Sequence, residues 1–160
     1  MEWTSLLVLG GVLALFALRG FQMRYKNGRV RARFEEGAAA LDRDEPAEAE
    51  KLFRDCVRLS PATGVLHRML GRALAAQGRF EEAAQSMETA AYLEPKNADA
   101  RFEHGLMLAH LGTAHEAAAT EALSKAVALK PELRAVLREA GQLEGLRQHP
   151  AVVAASAEGE

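Results

Sequence analysis

One repeat period constrains this chain more than any other feature. Gly37, Gly71 and Gly105 follow one another at a single constant interval, and Pro61 and Pro95 are separated by the same interval. A fixed period of this size means one supersecondary unit, repeated and stacked. In the middle copy, H-R-M-L-G-R-A-L-A-A-Q-G-R-F-E-E-A-A-Q-S-M-E-T-A-A-Y-L-E-P, apolar or small residues recur at helical spacing on both sides of a break at Gln77 to Arg79. Each unit is therefore expected to be two helices and a turn, and the fold class all-α. The third copy is irregular. Gly112 to Pro131 is 19 residues against 17 from Gly78 to Pro95, which puts two extra residues in its turn, within T-A-H-E-A.

With these residues in place the chain resembles the tetratricopeptide repeat family, whose pattern is an aromatic, Leu-Gly, an aromatic, an Ala, an aromatic and a closing Pro. His67, Leu70, Gly71, Leu74, Ala83, Met87 and Pro95 take those places in the middle copy. Arg33, Glu36, Gly37, Ala40, Ala49, Phe53 and Pro61 take them in the first, and Arg101, His104, Gly105, Leu108, Ala119, Leu123 and Pro131 in the third. The aromatic places are degenerate. What survives is what sterics demands: Gly and Ala where paired helices cross closely, Pro where a helix stops. The resemblance implies a helical solenoid of three helix pairs, at 30–63, 64–97 and 98–133, and peptide or protein binding on a concave face lined by the first helix of each pair. That places Arg31, Phe34 and Ala38, then Arg68, Arg72 and Ala75, then Phe102, Leu106 and His110 in the groove. The family's clamp for carboxyl-terminal peptides pairs a Lys with an Asn one turn on. Arg68 and Arg72 stand at that spacing here, a pair suited to a partner carboxylate, with Phe34 and Phe102 as apolar neighbours.

After Pro131 the residues Leu133, Val136, Leu137, Leu143 and Leu146 share one helical face, with charges opposite. This segment, 132–149, is expected to be the capping helix that covers the open end of a solenoid. Pro150 and the A-S-A-E-G-E ending read as a disordered tail over 150–160.

The amino-terminal end differs in kind. Trp3 to Leu18 is 16 residues without a charge, roughly 24 Å as a helix against a hydrocarbon core of about 30 Å. Snorkelling by Arg19 extends it to Met23, with Trp3 and Tyr25 as interfacial aromatics. The nine Leu, Val and Phe residues between Trp3 and Leu18 contribute roughly −3 to −5 kcal/mol to insertion, more than a terminal charge opposes. No basic segment precedes the run and no small-x-small site follows it, so a retained transmembrane anchor over 1–23 is expected rather than a cleaved signal. Gly10, Gly11, Ala14 and Ala17 cluster on that helix and would allow close packing with another membrane helix.

Arg19, Arg24, Lys26, Arg29, Arg31 and Arg33 follow with no acid between them, the last five in a basic juxtamembrane segment, 24–33. By the positive-inside rule they leave the amino terminus outside and the repeats cytoplasmic, and the same cluster can contact anionic lipid. With net charge −2 overall, +6 at residues 19–33 and −1 from Glu2, the remainder carries −7. An acidic repeat domain speaks against nucleic acid. Fifteen Arg against five Lys is the bias of a GC-rich bacterial genome and points to a bacterial inner membrane.

Catalysis finds no support. The five histidines show no i, i+4 pair with a nearby acid, no glycine-rich phosphate loop occurs, and the one cysteine, Cys56, falls at a core place. No cofactor, metal or small-molecule substrate is expected. The function expected is a membrane-anchored interaction scaffold or adaptor in assembly of a membrane complex, with protein partners and lipid at the basic junction. A stoichiometric accessory subunit packing through its transmembrane helix is the alternative, and a binder of lipid or nucleic acid through the junction the third.

Overall fold

The computed structural model describes residues 27–140 and 150–157. The anchor over 1–23, with Gly10, Gly11, Ala14 and Ala17, and the basic residues Arg19, Arg24 and Lys26 lie outside the described residues. Among the described residues no helix is long and apolar enough to cross a membrane.

The helices come in the pairs that the period demands. Helix α1 (27–42) pairs with α2 (Pro46–Leu59), α3 (Gly64–Ala75) with α4 (Phe80–Leu93), and α5 (Ala98–His110) with α6 (Glu116–Leu129). Two short helices follow, α7 (Leu133–Ala140) and α8 (Pro150–Ala157). From α2 to α6 each helix packs on its successor, so α1, α3 and α5 form one layer and α2, α4 and α6 the other. The first-helix side is called inner and the second-helix side outer.

The glycines mark the crossings, as their spacing implies. A Cβ at Gly37 would meet the Phe53 ring at 2.9 Å, one at Gly71 would meet Met87 Cγ at 2.8 Å, and one at Gly105 would meet Leu123 Cγ at 2.7 Å. The facing Phe53, Met87 and Leu123 are fully buried, so helices can approach this closely only over a residue without a side chain. The turns repeat too. Asp44, Gly78 and Gly112, again one period apart, all carry positive φ, 60°, 74° and 97°; at Gly112, with ψ −172°, the backbone takes an extended form that essentially only Gly adopts. In the third repeat the two extra residues become a 3-10 turn, Thr113–His115, ahead of α6.

Helix starts are satisfied from near and from far. The Asn97 side chain accepts from the Ala100 N–H at 3.1 Å and caps α5. Helix α3 has no such neighbour; its Val65 N–H instead donates to Glu94 Oε1 at 3.0 Å, a carboxylate from the end of α4 placed where the helix dipole favours it.

Three sequence expectations change. Residues 150–157 are not a disordered tail: they form helix α8, and Ala151, Val152 and Ala155 are buried. The cover over the solenoid's end is consequently made by α8, packed on α6 and α7, together with α7, whose described residues Leu133–Ala140 fall within the expected 132–149. Finally, residues 27–33 of the juxtamembrane segment are helical and belong to α1.

Candidate functional site: two seams of the solenoid

Between the first and second repeats the outer, second-helix layer is locked. Glu50 of α2, its side chain only 8% exposed, accepts Arg79 Nη1 at 2.7 and 2.8 Å and Gln77 Nε2 at 2.7 Å, and pairs with Arg54. Arg79 also bonds both oxygens of Glu82, and Arg54 reaches Glu82 at 3.8 Å. Burial alone would push the Glu50 carboxyl up; the hydrogen bonds from Gln77 and Arg79 and the charges of Arg54 and Arg79 outweigh it, and the group titrates below its ordinary range. The inner side of this seam is open: a cavity of about 300 Å³ lies between α1 and α3, walled by Val30, Phe34, Val65 and Leu66 and rimmed by Asn27, Arg31 and Thr63.

Between the second and third repeats the arrangement is reversed. On the inner side Arg72 Nε donates to Glu103 Oε2 at 3.1 Å, its Nη2 to Glu103 Oε1, and Arg68 Nη1 lies 3.6 Å from the same carboxylate. Hydrogen bonding to Glu103 raises the Arg72 guanidinium's pKa further, so it stays charged. The outer side carries a groove, with contiguous cavities of about 640 Å³ and 370 Å³ that share Glu88, His104 and Ala118.

The expected groove residues fall into this picture unevenly. Arg68 and Arg72 are not free to meet a partner carboxylate, because Glu103 from the next repeat already bridges them; Arg72 remains 48% exposed and Arg68 only 19%. Phe102 is core, in one buried cluster with Leu123, Val127 and Leu133, and Leu106 packs against that cluster. His110 stacks on Phe80, ring centroids 3.9 Å apart. Phe34 meets Phe53 edge-on at 5.8 Å but also walls the inner cavity, where Arg31, paired with Glu35, forms the rim. Of the expected groove residues, Arg31 and Phe34 are thus the two brought together with an opening. Arg33, assigned to topology and lipid contact, ion-pairs with Asp55 at 3.2 Å.

The reactive groups sit quietly. Cys56 is buried, donates to the Val30 carbonyl at 3.5 Å, and has its thiol pKa pushed up by burial, which opposes thiolate formation. Burial lowers the pKa of His104, partly offset by Glu88. Among the described residues no three His, Cys, Asp or Glu side chains come together so as to hold a metal ion.

A helical solenoid whose paired helices cross at Gly71 and Gly105 and close with Pro is a tetratricopeptide-type fold, and the sequence agrees: the family described as Tetratricopeptide repeat matches residues 68–134. No curated protein matches the chain. Solved structures do. The crystal structure of MamA is 22% identical with a TM-score of 0.65, over 79% of this chain and 74% of that one. The Yersinia enterocolitica type III secretion chaperone SycD, in complex with a peptide of the translocator YopD, is 19% identical with a TM-score of 0.62, over 73% and 88%. The first TPR of Spaghetti (RPAP3), bound to the HSP90 peptide SRMEEVD, is 17% identical with a TM-score of 0.62, over 72% and 95%. At these identities the likeness is one of fold.

Proposed function

We propose that this protein is an interaction scaffold that holds a segment of a partner protein on its first-helix face, presented at the cytoplasmic face of a membrane by the apolar segment 1–23. The observation that carries the reading is the inner cavity of about 300 Å³ between α1 and α3, where the expected groove residues Arg31 and Phe34 meet open space. Its size and walls suit one apolar side chain of a bound segment, and Asn27, Arg31 and Thr63 offer hydrogen bonds to that segment's backbone. The peptides held by SycD and by the first TPR of RPAP3 support such a use of the fold.

The cavity opens beside Asn27, next in sequence to the apolar and basic residues that would fix the domain at a membrane. A partner reaching it would then be membrane-bound itself, which favours assembly of a membrane complex. Arg24, Lys26 and Arg29 supply the positive-inside signal and a lipid contact in this reading.

The test is photo-crosslinking from position 31 in native membranes. Val65→Asp should abolish the adduct while circular dichroism and membrane retention stay unchanged; an adduct that survives Val65→Asp overturns the groove. Protease added to spheroplasts should leave the repeats intact, and their digestion would overturn the orientation.

A further inference from the structure

The outer groove between α4 and α6 has no part in that reading, and the repeat period shows what it lacks. Moving one period along from the locked first seam, Arg54 becomes Glu88, Glu50 becomes Ala84 and Arg79 becomes Thr113. Where the first seam holds guanidiniums between carboxylates, the second offers carboxylates facing a gap. Glu81 and Glu88 are exposed on its α4 rim and make no hydrogen bond or ion pair among the described residues. The cations along the groove have other partners, Lys125 paired with Glu121 and Arg101 donating to the Pro95 carbonyl at 3.0 Å. Burial lowers the pKa of His104 and so disfavours its charged form.

Shape agrees with charge. The groove runs along α4 from Glu81 to Tyr92, about 16 Å at 1.5 Å per residue, and alanines of α4 and α6, among them Ala91, Ala118 and Ala122, line it. Small side chains let another backbone come close. Tyr92, 83% exposed at one end, offers an aromatic face to an arriving cation.

We propose that this outer groove is a second docking surface, taken by a cationic segment of a partner protein that sets an arginine or lysine between Glu81 and Glu88 and small apolar residues on the alanine floor. The bound side chain does there what Arg54 does within the first seam. The surface is independent of the inner cavity, so one chain can join two partners.

The test uses the full chain in detergent and a phage library of random 12-residue peptides, counter-selected against Glu81→Arg/Glu88→Arg. Surviving peptides should carry at least one Arg or Lys beside small apolar residues, bind wild type at least ten-fold more tightly than the double variant, and bind Val65→Asp as well as wild type. That last arm separates this groove from the inner one. If the charge-reversed variant loses helicity, Glu81→Gln/Glu88→Gln replaces it, with a three-fold loss as the threshold. Survivors without basic residues, or binding indifferent to both variants, overturn the proposal. So does a wild-type dimer that the double variant turns into monomer, since a second copy would then be the occupant.

Discussion

The two seams are built from the same repeat and are stitched on opposite sides. Glu50, Arg54, Arg79 and Glu82 bind the outer layer of the first seam and leave a cavity within; Arg68, Arg72 and Glu103 bind the inner layer of the second and leave a groove outside. The apolar packing does not differ in this way, because Gly71 with Met87 and Gly105 with Leu123 make equivalent crossings inside their repeats. The lesson is a division of labour. Glycines and buried apolar residues hold each helix pair, while charged residues decide which face of each joint is closed and which stays available.

Breaking the shared part should cost most and should cost alike. In Gly105→Leu the new side chain meets the wholly buried Leu123, with Leu123 N itself 3.2 Å from the added Cβ; in Gly71→Leu it meets Met87 and the Ala83 carbonyl at 3.1 Å. Each should lose about 3 kcal/mol by urea unfolding, the upper end of overpacking costs. A large difference between the two would mean that the repeats differ inside and not only at their joints.

That part of the molecule was legible in the sequence because steric rules act at fixed spacing. Gly once in every period, Ala opposite and Pro at the end specify the crossing whatever the aromatic places contain. The seams were not legible, since their partners lie about a whole repeat apart and only the handedness of stacking decides which charges meet. Arg68 and Arg72 were visible as a pair one turn apart, but nothing local showed that Glu103 would come to rest between them. Phe102 looked like a ligand anchor on the first-helix face and is instead core, because α7 and α8 close over that end. Helix α8 was missed by reading all of 150–160 as a tail, when the A-V-V-A-A after Pro150 is an apolar run that the end of the solenoid buries in part.

The locked outer face of the first seam gives the next effect. Glu50→Ala should cost about 2 kcal/mol, leaving Gln77 and Arg79 without their buried acceptor. The sign with pH follows from the depressed native carboxyl. Its contribution is fully present above the unfolded value of about 4.3 and is lost as pH falls through the lower native value. The gap in stability between wild type and Glu50→Ala should thus hold at pH 7 and 5 and narrow below about pH 4. A gap constant down to pH 3 would show that the carboxylate's charge contributes nothing to the seam.

Glu103→Ala breaks the inner lock of the second seam and should cost less, about 1 kcal/mol, because Arg72 is half exposed and solvent screens it. Half of even this should vanish in molar salt, whereas the Glu50 effect should persist. In the double variant the two losses should add to within about 0.5 kcal/mol, as expected of joints that share no residue. Strong coupling between them would mean that the solenoid bends as one spring.

The smallest effect is the most informative about the open groove. Glu88→Arg places at the second seam the residue type that Arg54 supplies at the first, on an exposed rim where Glu88 has no hydrogen bond or ion pair among the described residues to lose. The locked seam needs two further elements, a buried carboxylate and a second guanidinium, and the second seam has Ala84 and Thr113 in those places. The new guanidinium therefore finds only exposed carboxylates and stays hydrated. Thermal unfolding should shift by no more than about 0.5 kcal/mol in either direction, the usual range for a surface change. A gain above about 1 kcal/mol, beyond what such surface changes give, would show instead that the groove is an unfinished joint waiting for a cation of the chain's own, and would remove the reason to think that a partner supplies it.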